Sequence, residues 1–203
     1  KKFANSLRLR MAMNIADVDM GYATAQATAA VTAGIMTSNA ESATLQYLPI
    51  QPNTNPLYLD LVASGRTDFV PADTFVNKLN ALADPRRPIF FTDFPAGSGD
   101  YKGGVYGQLN NYASFSHPGE ILSDPTLRGT LLDYTEVEFL LAEAVETGIP
   151  VGGDAASHYN AAITASMEDW GVASEDITAY LAQPSVAYAT ATGNWKQKIG
   201  EQS

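Results

Sequence analysis

Apolar positions recur at helical spacing through much of the chain, and the places where that period fails divide it into segments. Phe3, Leu7, Met11 and Ile15 come every fourth residue, while Leu9, Ala12 and Met13 fill the remaining faces. A helix apolar nearly all round packs inside a larger body. Arg8 and Arg10 lie on opposite sides of it, and burial would oblige them to find carboxylate or carbonyl partners. A second helix is expected over residues 20–36, built of Ala, a strong helix former, and Thr, a weaker one. Residues 37–72 carry turn chemistry in SNAES, LPIQPNTNP and SGRTD, and residues 57–62 fit either a short helix or an extended piece. Asp73 or Thr74 is then expected to cap an amphipathic helix bearing Phe75, Val76, Leu79, Leu82 and Ala83 on one face. Asp84-Pro85 ends it, because proline disfavours helical geometry in the residue before it.

From residue 86 to 133 the period is lost. RRPIFFTDF and GGVYGQLNNYASF mix aromatics with Gly, Pro and Asn, which predicts long ordered loops with room for a two-stranded hairpin. Helical spacing resumes at Thr135-x-x-Glu138, a capping-box spacing. Val137, Leu140, Leu141, Ala144 and Val145 form one stripe, with Glu136, Glu138, Glu143 and Glu146 mostly opposite and best explained as a solvated face. Gly148 supplies the stop. Asp154 caps the next helix, with Tyr159, Ile163, Met167 and Trp170 on one side and Gly171 at its end. Two helices joined by a short turn form an antiparallel pair, and their length resembles one tetratricopeptide repeat, although a single copy establishes no array. Ser174 is expected to cap a short helix through Leu181, closed by Gln183-Pro184, and residues 195–202 begin another. The predicted fold is therefore mainly α, with tetratricopeptide-like helix pairs in residues 134–183 and a loop-rich aromatic segment in residues 86–133.

Composition narrows the functions. The 203 residues hold 12 basic and 22 acidic side chains, a formal net charge of −10, and no cysteine. No excess of phosphate-neutralising charge is available for nucleic acid, and thiol chemistry, disulfides and cysteine-ligated zinc are excluded. No run approaches the ~18 apolar residues of a membrane span. The two histidines, His117 and His158, lack the paired spacing of a metal site and are expected to be structural or surface residues. Gly97-Ser98-Gly99 lacks the first glycine of a nucleophile elbow, and Gly103-Gly104-x-x-Gly107 is no phosphate fingerprint. Asp17-x-Asp19 and Asp93 with Asp100 offer oxygen ligands but match no calcium loop. No catalytic residue, metal or cofactor is assigned.

The aromatics carry the chemistry. Phe90, Phe91, Phe94, Tyr101, Tyr106, Tyr112 and Phe115 fall in the loop-rich stretch beside Asp93, Asp100, Asn110 and Asn111. Aromatic faces cover the C–H face of a pyranose, and Asp and Asn groups meet its hydroxyls. Tyr101, Tyr106, Asn110, Asn111 and Tyr112 are the candidate ligand-binding residues. The competing reading is that the rings pin a long loop onto its support.

Six segments in order resemble the SusD-like (SusD/RagB) nutrient-binding outer-membrane lipoproteins of Bacteroidetes. They are KFANSLRLRMAMNIADVD, the Asn55-Pro56 loop, FVNKLNALADPR, YKGGVYG, YTEVEFLLAEAVETG and YNAAITASMEDWGV. The resemblance implies that residues 1–203 are part of a single SusD-like domain, an internal to C-terminal-half fragment of a partial α superhelix. It implies a surface-exposed lipoprotein of the outer membrane, held by an N-terminal lipid anchor absent from this chain. Its implied work is non-catalytic capture of an oligosaccharide or peptide nutrient and delivery to a SusC-like TonB-dependent transporter. No catalytic motif accompanies the family. Two alternatives remain open at this point: a helical-repeat module that binds only protein, suggested by the helix pair, and an all-α glycoside hydrolase, suggested by the carboxylates.

Overall fold

Most of the periodicities become helices, and the loop-rich stretch becomes short turns. The computed structural model describes residues 1–203. The elements are α1 (Lys2–Asn14), α2 (Met20–Ala33), β1 (Ala43–Leu45), α3 (Pro56–Tyr58), α4 (Asp73–Ala81), α5 (Arg87–Phe90), β2 (Gly129–Leu132), α6 (Tyr134–Glu146), α7 (Ala155–Asp169), α8 (Ser174–Leu181) and α9 (Trp195–Gln202). They form two units: residues 1–44 with 130–203, and residues 45–129.

The first unit is the helical one. α1 packs on both α2 and α6, burying Ser6, Leu9, Ala12 and Met13, and α2 contributes Ala23, Ala27 and Ala30 to the same core. Alanines three and four apart lie on one helix face. Having no side chain beyond Cβ, they let the two backbones approach closely. The every-fourth series of the sequence is split: Phe3 and Met11 are exposed, whereas Leu7 and Ile15 are half-buried against the core. The side chain of Ser6 is satisfied by accepting from the Met36 N–H at 3.0 Å. Both arginines find the partners their burial required. Arg8 donates to Gln26 Oε1 from Nε and Nη2, at 3.0 and 2.6 Å. Arg10 grips the Glu136 carboxylate and donates to the Leu131 carbonyl. α2 ends at Ala33, earlier than expected, at Gly34.

α6 and α7 make the expected pair, with Val137, Phe139, Leu141, Ala142 and Ala144 facing inward from the first, and Tyr159, Ala162, Ile163 and Met167 from the second. The start of α6 differs from expectation. Its cap is Asp133, whose carboxylate accepts from the Glu136 N–H at 2.7 Å, and Thr135 is already helical. Ser174 likewise is the first helical residue of α8 and no cap, with Ala173 before it in extended geometry. Asp154 does cap α7, accepting from the Ser157 N–H at 2.9 Å and its hydroxyl at 2.6 Å. Asp154→Ala removes this cap and is expected to lower Tm by a few degrees, which a thermal melt checks.

The four glutamates of α6 do not form a solvated face. Glu136 holds Arg10, Glu138 is 7% exposed and pairs with His158, and Glu146 accepts from the Tyr188 hydroxyl at 2.6 Å. Glu143 is partly buried, and burial pushes its carboxyl above the ordinary range. These groups tie α6 to its neighbours.

The second unit is short turns around a small aromatic centre. Residues 57–62 turn out helical: α3 runs into a wider turn over Leu59–Ala63. Buried Asn55 starts it, accepting from the Leu57 N–H at 2.7 Å and donating to the Leu127 carbonyl at 2.6 Å. α4 begins one residue earlier than a cap at Asp73 would allow, because extended Ala72 occupies the cap position and bridges Gly104. After α4 the chain is locked by Asp84, which is fully buried. Its Oδ1 accepts from the Arg86 backbone and Nε, at 2.8 and 3.0 Å, and its Oδ2 accepts from Nη2 at 2.6 Å. The hairpin anticipated in residues 86–133 is not formed. The strand at its end, β2, pairs with distant β1, and single bridges join Ala72 to Gly104 and Phe91 to Pro118.

Candidate functional site

The aromatics of the second unit separate into three groups with different surroundings. The first gathers around buried Phe91. Phe75, Phe90, Phe91 and Tyr101 meet with centroids 5.7–6.3 Å apart, mostly tilted or edge to face, which suits the ring quadrupole. Arg87 lies 5.4 Å over the Tyr101 ring, and the Tyr101 carbonyl accepts from Asn80 Nδ2 at 2.8 Å. Burial pushes its phenol pKa up. Tyr101 is thus half-buried and holds the loop on α4, which is the structural role weighed above for individual rings.

The second group stands on a braced turn. The Gln108 N–H donates to the Val105 carbonyl at 3.2 Å, closing a four-residue turn with Tyr106 and Gly107 in its middle. Gly107 has φ +78°, the left-handed value a type II turn demands at its third position. Asn110 ties the turn from below. Its Oδ1 accepts from the Val105 N–H at 2.9 Å, and its Nδ2 donates to the carbonyls of Val105 and Gln108, each at 3.0 Å. Asp73 fixes the same turn to α4: its N–H donates to the Gly104 carbonyl at 2.8 Å, and its Oδ1 accepts from the Tyr106 N–H at 3.3 Å. A Cβ on Gly103 would lie 2.5 Å from Asp73 Cα, so only glycine permits this approach. At the apex of this rigid support Tyr106 is 80% exposed, with Val105 and Leu109 also exposed on either side.

The third group borders a small cleft of about 60 Å³ lined by Arg66, Phe69, Tyr112, His117 and Ser123 among others. Tyr112 and His117 stack in parallel at 3.7 Å, and His117 Nε2 lies 3.0 Å from the Tyr112 carbonyl. Arg66 sits 4.5 Å over the Phe69 ring and forks onto Asp68. Asn111 starts the short turn carrying Tyr112 by accepting from the Ala113 N–H at 3.2 Å, and the residue is exposed.

Of the five candidates, then, Tyr106, Asn111 and Tyr112 present side chains to solvent or to the cleft, whereas Tyr101 and Asn110 build the support. Sequence reasoning missed Asp73, Val105 and Leu109. The turn signal at Gly107 was legible, but the tie from Asp73 spans more than thirty residues. Elsewhere the polar groups are structural. Asp19 caps α2, and Asp93 accepts from the Gly99 N–H. No group of three His, Asp or Glu side chains converges, and no helix is long and apolar enough to cross a membrane.

Comparison with known proteins places this geometry. A family described as starch-binding and associating with the outer membrane matches residues 1–203. A chitin-binding protein of known structure is 28% identical, with a TM-score of 0.81 over 100% of this chain and 47% of its own. A chitin-binding SusD homologue from Flavobacterium johnsoniae is 29% identical, with a TM-score of 0.74 over 90% of this chain and 37% of its own. A SusD-like protein from Bacteroides thetaiotaomicron is 30% identical, with a TM-score of 0.70 over 89% of this chain and 37% of its own. The chain therefore spans less than half the length of these relatives. No functionally curated protein matches it. Two of these relatives are described by what they bind. The helical fold and the full-length family match agree with the resemblance of the six sequence segments, and the chain belongs to the SusD-like family of starch-binding, outer-membrane-associated proteins.

Proposed function

We propose that this protein binds oligosaccharide without transforming it, at the bacterial surface, and passes it to a SusC-like TonB-dependent transporter while held to the outer membrane by a lipid anchor. The observation that carries the binding role is the rigid turn presenting Tyr106. A backbone turn fixed before the ligand arrives loses little further freedom when its tyrosine stacks against a sugar. Tyr112 and Asn111 are the further contacts, with Tyr101 and Asn110 holding the loops that bear them. Membership in a carbohydrate-binding family supports the reading.

Calorimetric titration of the full chain with malto-, cello- and chito-oligosaccharides tests it. At least one series is expected to bind, and Tyr106→Ala to weaken it about tenfold, the loss of ~1.4 kcal/mol expected for one aromatic contact. Absence of binding to every glycan by a folded protein would overturn the reading. Turnover of a bound glycan would favour a hydrolase instead, and binding only to peptides would change the ligand class. Co-purification of a TonB-dependent transporter from native membranes is the expected result for the partner.

A further inference from the structure

The Tyr106 turn carries more apolar surface than a plain sugar ring needs. Stacking a pyranose takes one ring face, here Tyr106. Yet Val105 stands exposed beside it, and Leu109 is as exposed as a side chain can be. Fully exposed leucine is unremarkable when it sits alone. Here it shares a turn of a few residues with an exposed aromatic, and that turn is pinned by three side-chain bonds from Asn110 and a further one to Asp73. A mobile loop could fold such side chains away. This one holds them out.

Glucans offer these apolar neighbours C–H groups and hydroxyls but no methyl group. A 2-acetamido sugar offers, beside the same C–H face, a methyl group, a carbonyl acceptor and an N–H donor. The methyl matches Leu109 or Val105. We infer that the Tyr106 turn selects N-acetylated hexosamine oligosaccharides, with Tyr106 taking the ring and Leu109 and Val105 taking the acetyl methyl. The inference rests on the oligosaccharide-binding reading above and deepens it. Chitin binding by two relatives, at 28 and 29% identity, is consistent with it.

Chitopentaose and cellopentaose share ring and linkage and differ in the acetamido group, which isolates the point. In calorimetric titration of the full chain, chitopentaose is expected to bind at least tenfold more tightly. Leu109→Ser combined with Val105→Ser should shrink that ratio severalfold, the larger loss falling on chitopentaose. Tyr106→Ala should weaken both sugars. Circular dichroism melts establish that each variant is folded, and the side chains are exposed, so folding is expected to persist. Equal affinity of the two sugars, or an unchanged ratio in the double variant, overturns the inference. Tighter binding of cellopentaose or maltopentaose also overturns it but leaves the oligosaccharide reading standing. Failure to bind any glycan removes both.

Discussion

Asp84→Ala is expected to lower stability by about 3–5 kcal/mol, the largest effect of any single change considered. Asp84 has no exposure, and its two oxygens accept three bonds from one residue, Arg86. The Arg86 side chain is itself only 11% exposed. Removing the carboxylate leaves a guanidinium and a backbone N–H desolvated without their acceptor, so the loss exceeds the net worth of the pair. The pair also closes the turn after α4, where a helix gives way to Pro85 and the short α5. Urea unfolding checks the expectation: the midpoint should fall while the slope stays constant. Replacing both partners, Asp84→Ala with Arg86→Met, should recover a substantial part. A single-variant loss below about 1 kcal/mol would show that the site relaxes or hydrates freely.

The second large effect is a pH dependence centred on His158. Its Nδ1 lies 2.6 Å from Glu138 Oε2, and its Nε2 lies 3.0 Å from the Gly152 carbonyl. Both neighbours are acceptors, so only the doubly protonated imidazolium satisfies both contacts. The bond to Glu138 raises the His158 pKa above 6.5, with burial opposing it and the Gly152 carbonyl and Asp154 adding to the rise. Glu138 is shared with Tyr134, whose phenol is pushed up to about 12, by burial first and then by this bond. Because the folded value is raised, the stabilisation is complete below the unfolded pKa of about 6.5 and is lost as pH climbs through the folded one. Above that range the protein should become less stable. Glu138→Gln should remove about 2 kcal/mol at pH 6, the scale of a hydrogen bond to charge, and flatten the profile. Thermal melts from pH 5 to 9 would read this, and identical profiles for both proteins would exclude the imidazolium pair as the source.

What the sequence revealed follows from range. Apolar spacing located α1, α4, α6 and α7 because helix periodicity is local. It misjudged the buried side of α1 in part, since small Ala12 enters the core while Phe3 and Met11 stay outside. Size alone does not choose the core face when the opposing helix presents alanine. Capping was legible only in part. Asp133-x-x-Glu136 has the same spacing as Thr135-x-x-Glu138, and the extended geometry of Asp133, immediately after β2, decides between them. The solvated-face reading of the glutamates failed because Arg10, His158 and Tyr188 reach α6 from distant positions. The same limit applies to the site. Composition marked the aromatic stretch, but the division of labour between interior Tyr101 and outward Tyr106 depends on Asp73, Asn80 and Arg87 from another part of the chain.

The pairing of β1 with β2 has a consequence of its own. Residues 45–129 leave the helical unit and return to it, and the two short strands fix departure and return side by side. Once the ends of an excursion are joined, its length enters the free energy only logarithmically, and a doubling adds roughly 0.6 kcal/mol. The two strands thus carry the closure cost of the whole excursion, while the turns inside it depend on their own braces, Asp73, Asn110 and Asp84.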